Sequence, residues 1–253
     1  MKNRILRYLL TDEISYSSHL KMIEQYGDKI EYNLLEKRNE WALSLLIPTY
    51  LSIFDISAYP EAEYIVYTAA SGKKIAKDIF CEIPTDYHLV FKVTKPIEKE
   101  LVKERFNPTF IKSFVSYSTD KPIKNDYERI ISGSSLDEVL LPLWLENGYD
   151  RSSIENYFKR GAFSFSIFMD NKPLSTCFTF FSSEKILEIG GVNTIPGERC
   201  KGYGSLVVGA AINYIVQTGK KPNYQVLHTN VPSIKLAESL GLQKTLTIEH
   251  YYY

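Results

Sequence analysis

The chain has 253 residues, room for one large domain or two small ones, and its pattern favours two. Lysine plus arginine and aspartate plus glutamate number 30 each, so the overall charge gives no footprint for nucleic acid or anionic lipid, and neither is expected as a partner. Cys81, Cys177 and Cys200 are odd in number and far apart, which suggests neither a disulfide framework nor a zinc site; buried thiols are expected and no metal is implied.

Met1 to Leu10 holds too short an apolar run for a signal peptide, and no segment reaches the length of a membrane span, so the expected location is cytoplasmic and no membrane partner is implied. Residues 17 to 26 read as an amphipathic helix stopped by Gly27, and Trp41 to Ile47 as a buried strand ended by Pro48. Strand, helix and strand follow at Tyr64 to Tyr67, Gly72 to Phe80 and His88 to Val93. Pro96 opens a charged helix, Ile97 to Phe106, which leads to a strand from Phe110 to Tyr117. The polar stretch Ser118 to Asn125 reads as a linker, dividing the chain into domains 1–124 and 125–253.

The second half begins with a strand at Tyr127 to Ile131, then helices at Leu136 to Glu146 and Ser152 to Arg160. Strands at Phe163 to Phe168 and Ser175 to Phe181 are joined by the turn Asp170 to Pro173 and lead to a third, Ile186 to Ile195, ended by Pro196-Gly197. Tyr203 to Gln217 carries Leu206, Val207, Ala210, Ala211, Tyr214 and Ile215 at helical spacing, closed by Gly219. After a strand at Tyr224 to Thr229, Asn230 caps a helix with Ile234, Leu236, Ala237 and Leu240 as apolar positions, ended by Gly241. The class is α/β.

The segment Arg199-Cys200-Lys201-Gly202-Tyr203-Gly204 lies between a strand and a long helix. Its glycines let the backbone approach a ligand, and the first helical amides stand unpaired at the positive end of the dipole, so the loop is a candidate pyrophosphate cradle. Gly190-Gly191 is a candidate bulge inside a strand. No P-loop lysine follows Ser132-Gly133-Ser134-Ser135, and no Gly-x-Ser-x-Gly, His-x-x-x-His or Cys-x-x-Cys occurs.

Arg-x-x-Gly-x-Gly in the loop and Asn-x-x-Ser-x-x-Leu-x-x-x-Leu-Gly in the later helix, set in this order of elements, resemble the GNAT superfamily of acyl-CoA-dependent N-acyltransferases over roughly residues 126 to 253. Within it, Glu188, Thr194, Pro196, Arg199 and Gly202 fall where the glycine N-acyltransferase group has its Glu, Thr, Pro, Arg and Gly. The resemblance implies a GNAT fold, a mixed central sheet flanked by helices, with the first half a degenerate, non-catalytic GNAT-like copy that lacks the loop. It implies acetyl-CoA or another acyl-CoA as co-substrate, with pantetheine lying between two splayed strands, here Ile186 to Ile195 and Tyr224 to Thr229. Its candidate contacts are Thr194, Ile195, Arg199, Cys200, Lys201, Gly202, Tyr203, Gly204, Ser205, Asn230 and Ser233.

Glu188, the only acid in an apolar strand, is the candidate general base, and burial there would raise its pKa toward the operating pH. His228, near a strand end, is a second catalytic candidate. Many GNAT enzymes carry a tyrosine seven residues after the motif asparagine; here Ala237 stands there, and a CoA thiolate, with a thiol pKa near 8.5, is expected to leave without it. Trp144, Tyr149 and Tyr157 come from helices that cover the acceptor side in the family, though core packing is the plainer role. The expected activity is direct transfer of an acetyl or acyl group to the primary amine of a small molecule or amino acid, by a monomer or homodimer. A non-catalytic acyl-CoA-binding module is the alternative. Transfer from aminoacyl-tRNA, a third option, is disfavoured by the neutral charge and the intact loop.

Overall fold

Alternating runs of β-branched and aromatic residues build strands, and apolar residues at helical spacing build the helices that cover them. The computed structural model describes residues 1–253 and divides into two compact units, Met1–Phe114 with Leu246–Tyr253, and Val115–Thr245.

The first unit contains α1 (Lys2–Leu9), α2 (Ser17–Tyr26), β1 (Glu31–Lys37), β2 (Glu40–Pro48), α3 (Ile53–Ala58), β3 (Tyr64–Ala70), α4 (Lys73–Cys81), β4 (Leu89–Val93) and α5 (Pro96–Phe106). Strand β5 (Thr109–Ser118) begins in it and continues into the second unit. The second unit goes on through β6 (Ile131–Gly133), α6 (Leu141–Leu145), α7 (Arg151–Lys159), β7 (Phe163–Met169), β8 (Lys172–Ser183), β9 (Ile186–Thr194), α8 (Tyr203–Gln217), β10 (Lys221–Leu227) and α9 (Val231–Ser239). Strand β11 (Gln243–Tyr252) then returns the chain to the first.

The units part inside β5 and not in the polar stretch at 124/125. The Phe114 ring lies 5.1 Å from that of His250 in the first unit, whereas Val115 and Tyr117 join the core of the second. Composition marks the polar stretch, but the core that each side chain enters sets the boundary.

Strand order in the first unit is β1-β2-β3-β4-β11, with β3 and β4 parallel and the other neighbours antiparallel. Some polar groups inside it are paired. The Lys92 ammonium sits 2.7 Å from the Asp55 carboxylate. His19 Nε2 lies 3.0 Å from the Thr68 carbonyl oxygen, and His250 Nδ1 bonds the Tyr59 hydroxyl. Burial pushes His19 down to about 4; burial, with Lys92 and Lys112 nearby, pushes His250 down to about 2.

In the second unit the order is β5-β10-β9-β8-β7-β6, again mixed: β10 and β9 are parallel, and β9, β8, β7 and β6 are antiparallel in turn. Cys177, Ile189, Tyr224 and Val226 pack with α8 and α9 residues in one core, while Phe178 and Phe180 pack with Leu141, Trp144, Ile154 and Phe158 in another. The architecture is therefore the expected mixed sheet flanked by helices.

Several local expectations are corrected. Tyr127 to Ile130 form a turn, because the Tyr127 ring lies against Gly209 of α8 instead of joining a ladder; the strand there is only Ile131–Gly133. The helix expected from Leu136 begins at Leu141, with Pro142 in its first turn. Strand β10 ends at Leu227, where the Asn230 N–H closes a turn onto the Leu227 carbonyl, so His228 and Thr229 lie outside it. Only Cys177 is a buried thiol; Cys81 ends α4 and Cys200 sits in a loop, both exposed. No helix is long and apolar enough to cross a membrane.

The two depressed histidines fix a pH dependence. Each is held below its unfolded value of 6.5, so the unfolded chain binds protons that the folded one refuses, and stability complete above that pH is lost as pH falls through it. The loss should approach about 1.4 kcal/mol per pH unit for each histidine. Urea midpoints measured from neutrality down to about pH 5 should fall steadily; a flat profile would exclude buried neutral histidines.

Candidate functional site

The site begins with a ladder that stops. Strands β9 and β10 pair in parallel only from Ile186–Lys221 to Ile189–Tyr224, although they run on to Thr194 and Leu227. Pairing ends where Gly190 and Gly191 begin. Against β8, Phe178 faces Gly190 but Thr176 faces Asn193, so β9 carries an extra residue, a bulge, and Gly191 adopts φ +62°. A side chain at Gly191 would collide with Phe178 and come within 2.8 Å of Trp144; one at Gly190 would strike the Tyr149 hydroxyl and come within 2.8 Å of Phe180. The expected bulge is present, and aromatic rings fill the space that its glycines leave.

Beyond the bulge, side chains bind the backbone of β9. Asn147 Nδ2 donates to the Val192 carbonyl at 2.9 Å, Ser175 Oγ to that of Asn193 at 3.2 Å, and Arg199 Nε to that of Thr194 at 3.0 Å. Asn193 Nδ2 in turn donates to the Leu143 carbonyl at 2.8 Å. These bonds hold the end of β9 where it is.

The loop leaves β9 at Thr194, whose hydroxyl is 2.9 Å from Ser175 Oγ, and Ile195 N donates to the Leu174 carbonyl at 2.9 Å. Cys200 at φ 62° and Gly202 at φ 84° bracket Lys201 with left-handed turns. Helix α8 then starts from Gly202 with no side-chain cap, and nothing lies within 4 Å of the position a Gly202 side chain would take. Gly204 lets the helix sit close, with Leu236 at 3.0 Å and Thr194 Oγ1 at 3.7 Å from where its Cβ would be. Uncapped amides, open space and the helix dipole together suit a diphosphate.

The cations divide. Lys201 is held at 3.0 Å by both carboxylate oxygens of Glu198, so its charge is spent locally. Arg199 uses Nε on Thr194 and leaves its terminal nitrogens unengaged. A third cation was not foreseen: the Arg129 guanidinium lies 5.8 Å from the Tyr203 ring at the start of α8. Sequence position gave no hint of it, since Arg129 sits in the turn that had read as a strand.

On the other side, Asn230 Oδ1 accepts from Ser233 N at 3.2 Å and caps α9 as expected. Ala237 is fully buried. Tyr224, the last residue of β10 paired with β9, has a buried hydroxyl without a well-formed hydrogen bond. Burial pushes that phenol up to about 12, with the Ser233 side chain acting weakly the other way.

Glu188 is half-buried and stands in register with Asn223 on β10 and Phe180 on β8, two residues before the bulge. His228 is exposed, five residues past Asn223 along the chain, about 16 Å at strand rise. The structure does not bring the two catalytic candidates together. It places Tyr149 near Glu188 instead: in the loop between α6 and α7, its phenol is raised by burial and further by the Glu188 charge. Trp144 is wholly buried among Phe158 and Phe178, and Tyr157 stacks on Phe180.

The family model for GNAT acetyltransferases matches residues 92–251, more than half of the chain. This protein belongs to the GNAT acetyltransferase family. No curated protein matches the chain. Among solved structures, a GCN5-related N-acetyltransferase from Kribbella flavida is similar at TM-score 0.63 and 12% identity, over 95% of this chain and 95% of its own. A GNAT-family acetyltransferase from Colwellia psychrerythraea gives 0.62 and 12% over 98% and 97%. A tandem GNAT protein from the clavulanic acid biosynthesis pathway gives 0.56 and 9% over 94% and 87%. At such identities the likeness is one of fold. GNAT acetyltransferases transfer an acyl group from CoA to an acceptor.

Gly191→Ala should lower stability by about 2–4 kcal/mol, from left-handed strain plus overpacking against Phe178 and Trp144. Gly197→Ala, with open space and no strained φ, should stay within about 0.5 kcal/mol of the parent in the same urea denaturation. Equal effects would mean that the bulge is not packed as described.

Proposed function

We propose that this chain is an acyl-CoA-dependent N-acyltransferase that moves an acetyl or acyl group to the primary amine of a small molecule or amino acid by direct attack. The observation that carries the reading is the opening beyond Ile189 and Tyr224, which leads to the uncapped start of α8. Bound acetyl-CoA supplies the activated thioester. The amides from Cys200 to Ser205 and the terminal nitrogens of Arg199 hold the diphosphate; Thr194, Ile195, Asn230 and Ser233 line the rest of the path. Glu188 takes the proton from the attacking ammonium, directly or through a water. Its half-buried place beside the bulge supports that role, whereas exposed His228 is better suited to orienting an acceptor.

The first unit is proposed as the non-catalytic half. It too has a strand, a turn and a helix, β3 to α4, but there the Glu40 carboxylate stands 2.8 Å from where a Gly72 side chain would begin. A carboxylate at that helix start repels phosphate, while the same place at Gly202 is open. The resemblance to the glycine N-acyltransferase group rests on Glu188, Thr194, Pro196, Arg199 and Gly202 and suggests an amino-acid acceptor. An acyl-CoA sensor without turnover is the second reading, favoured by Ala237 where a tyrosine is usual in the family.

Calorimetric titration with acetyl-CoA and with CoA tests the donor site. The parent should bind both, and Gly202→Glu, which adds a negative charge to the cradle, should weaken binding by on the order of 100-fold while the chain still folds. Normal binding by that variant would remove the cradle assignment. An amine screen reading thiol release separates enzyme from sensor. Glu188→Gln should lower turnover by roughly 100-fold while the acceptor is an ammonium, and the deficit should shrink as pH nears the amine's own pKa, about 10. A deficit equal at all pH values would remove Glu188 as the base.

A further inference from the structure

We propose that the Tyr149 hydroxyl is the proton donor to the sulfur that leaves during acyl transfer, a role that rests on the acyltransferase reading above. The geometry is specific. Tyr149 reaches β9 at its bulge, and a Cβ on Gly190 would collide with its hydroxyl oxygen and lie 3.2 Å from Cζ. Only glycine at 190 admits the phenol to that depth. Its ring is fixed edge-on to Phe178, with centroids 5.2 Å apart, and Phe178 is fully buried. Asn147, two residues earlier, ties the same loop to the Val192 carbonyl at 2.9 Å. The phenol is thus anchored at the point where β9 and β10 part.

Its surroundings fit a donor. Burial and the neighbouring Glu188, Tyr157 and Tyr224 raise the phenol, and a hydrogen bond from the Gly191 N–H opposes them without reversing the direction. The group therefore carries its proton at any working pH. Burial makes thiolates stronger bases, as at the Cys177 thiol, which is raised by burial alone. Departure without a proton, reasonable for a thiol in water, is costly here, and Ala237 offers none.

The step balances. The acceptor ammonium first passes one proton through Glu188 to solvent; the amine nitrogen then forms the C–N bond and gives a second proton to Glu188, the C–S bond breaks and the Tyr149 O–H proton moves to sulfur. Glu188, close enough to act electrostatically on Tyr149, returns its proton to the phenolate through water, and both groups end as they began.

The test uses the full chain as Tyr149→Phe, with Tyr224→Phe in parallel. CoA and desulfo-CoA are titrated by calorimetry, and the bound thiol is titrated by its thiolate absorbance. If Tyr149 donates to sulfur, Tyr149→Phe should raise the pKa of the bound thiol by about one unit, reduce the preference for CoA over desulfo-CoA several-fold, and lower kcat roughly 100-fold with KM for acetyl-CoA nearly unchanged. A parent that binds no CoA overturns the donor site and this role with it. A parent that binds CoA, with an unshifted thiol in Tyr149→Phe, overturns Tyr149 alone. A shift seen in Tyr224→Phe and not in Tyr149→Phe overturns it in favour of the other phenol.

Discussion

A parallel β-ladder that stops is the constraint on which the second unit depends. Backbone groups near the end of a ladder must still be satisfied, and the carbonyls of Val192, Asn193 and Thr194 in β9 accept from the side chains of Asn147, Ser175 and Arg199. The donors come from three elements: the loop after α6, strand β8, and the loop before α8. Each is thereby locked to β9, so the opening is held by the parts that surround it. The bulge starts the divergence, and the side-chain bonds keep β9 from closing back on β10.

The two strand-turn-helix passages of the chain differ in what stands at the helix start. Both α4 and α8 start from a glycine without a side-chain cap. At Gly72 the Glu40 carboxylate occupies the approach; at Gly202 nothing does, and Arg199 and Arg129 stand nearby. The dipole favours an anion at both ends equally, so the difference lies in what the neighbouring chain places there.

Much of this was legible because its signals are local. Gly27, Gly219 and Gly241 end helices with positive φ, Asn230 caps α9 by its own side chain, and Gly190-Gly191 marks the bulge. What was missed depends on distant partners. Tyr127 left its expected strand to pack on Gly209, more than eighty positions away, and Arg129 went with it. His228 lies outside β10 because a turn closes at Asn230. Tyr149 could be named as a residue of the acceptor side but not placed at the bulge, since the contact is made through glycines that carry no side-chain signal.

The same two glycines link the parting of the strands to Glu188 and Tyr149. In a regular strand the space over Gly190 would be filled by its own side chain, and a loop crossing that face would stop about one side chain higher. With glycine there, Tyr149 descends to the backbone on the face that Glu188 shares, given that Glu188 pairs with Phe180 and that Phe180 packs with Tyr149 and Tyr157 in one cluster. At the next position Gly191 adopts φ +62°, just past Ile189, where the pairing with β10 ends. Separation of the strands and convergence of the carboxylate and the phenol are therefore a single structural event, so any substitution that restores a side chain at the bulge should lose both together.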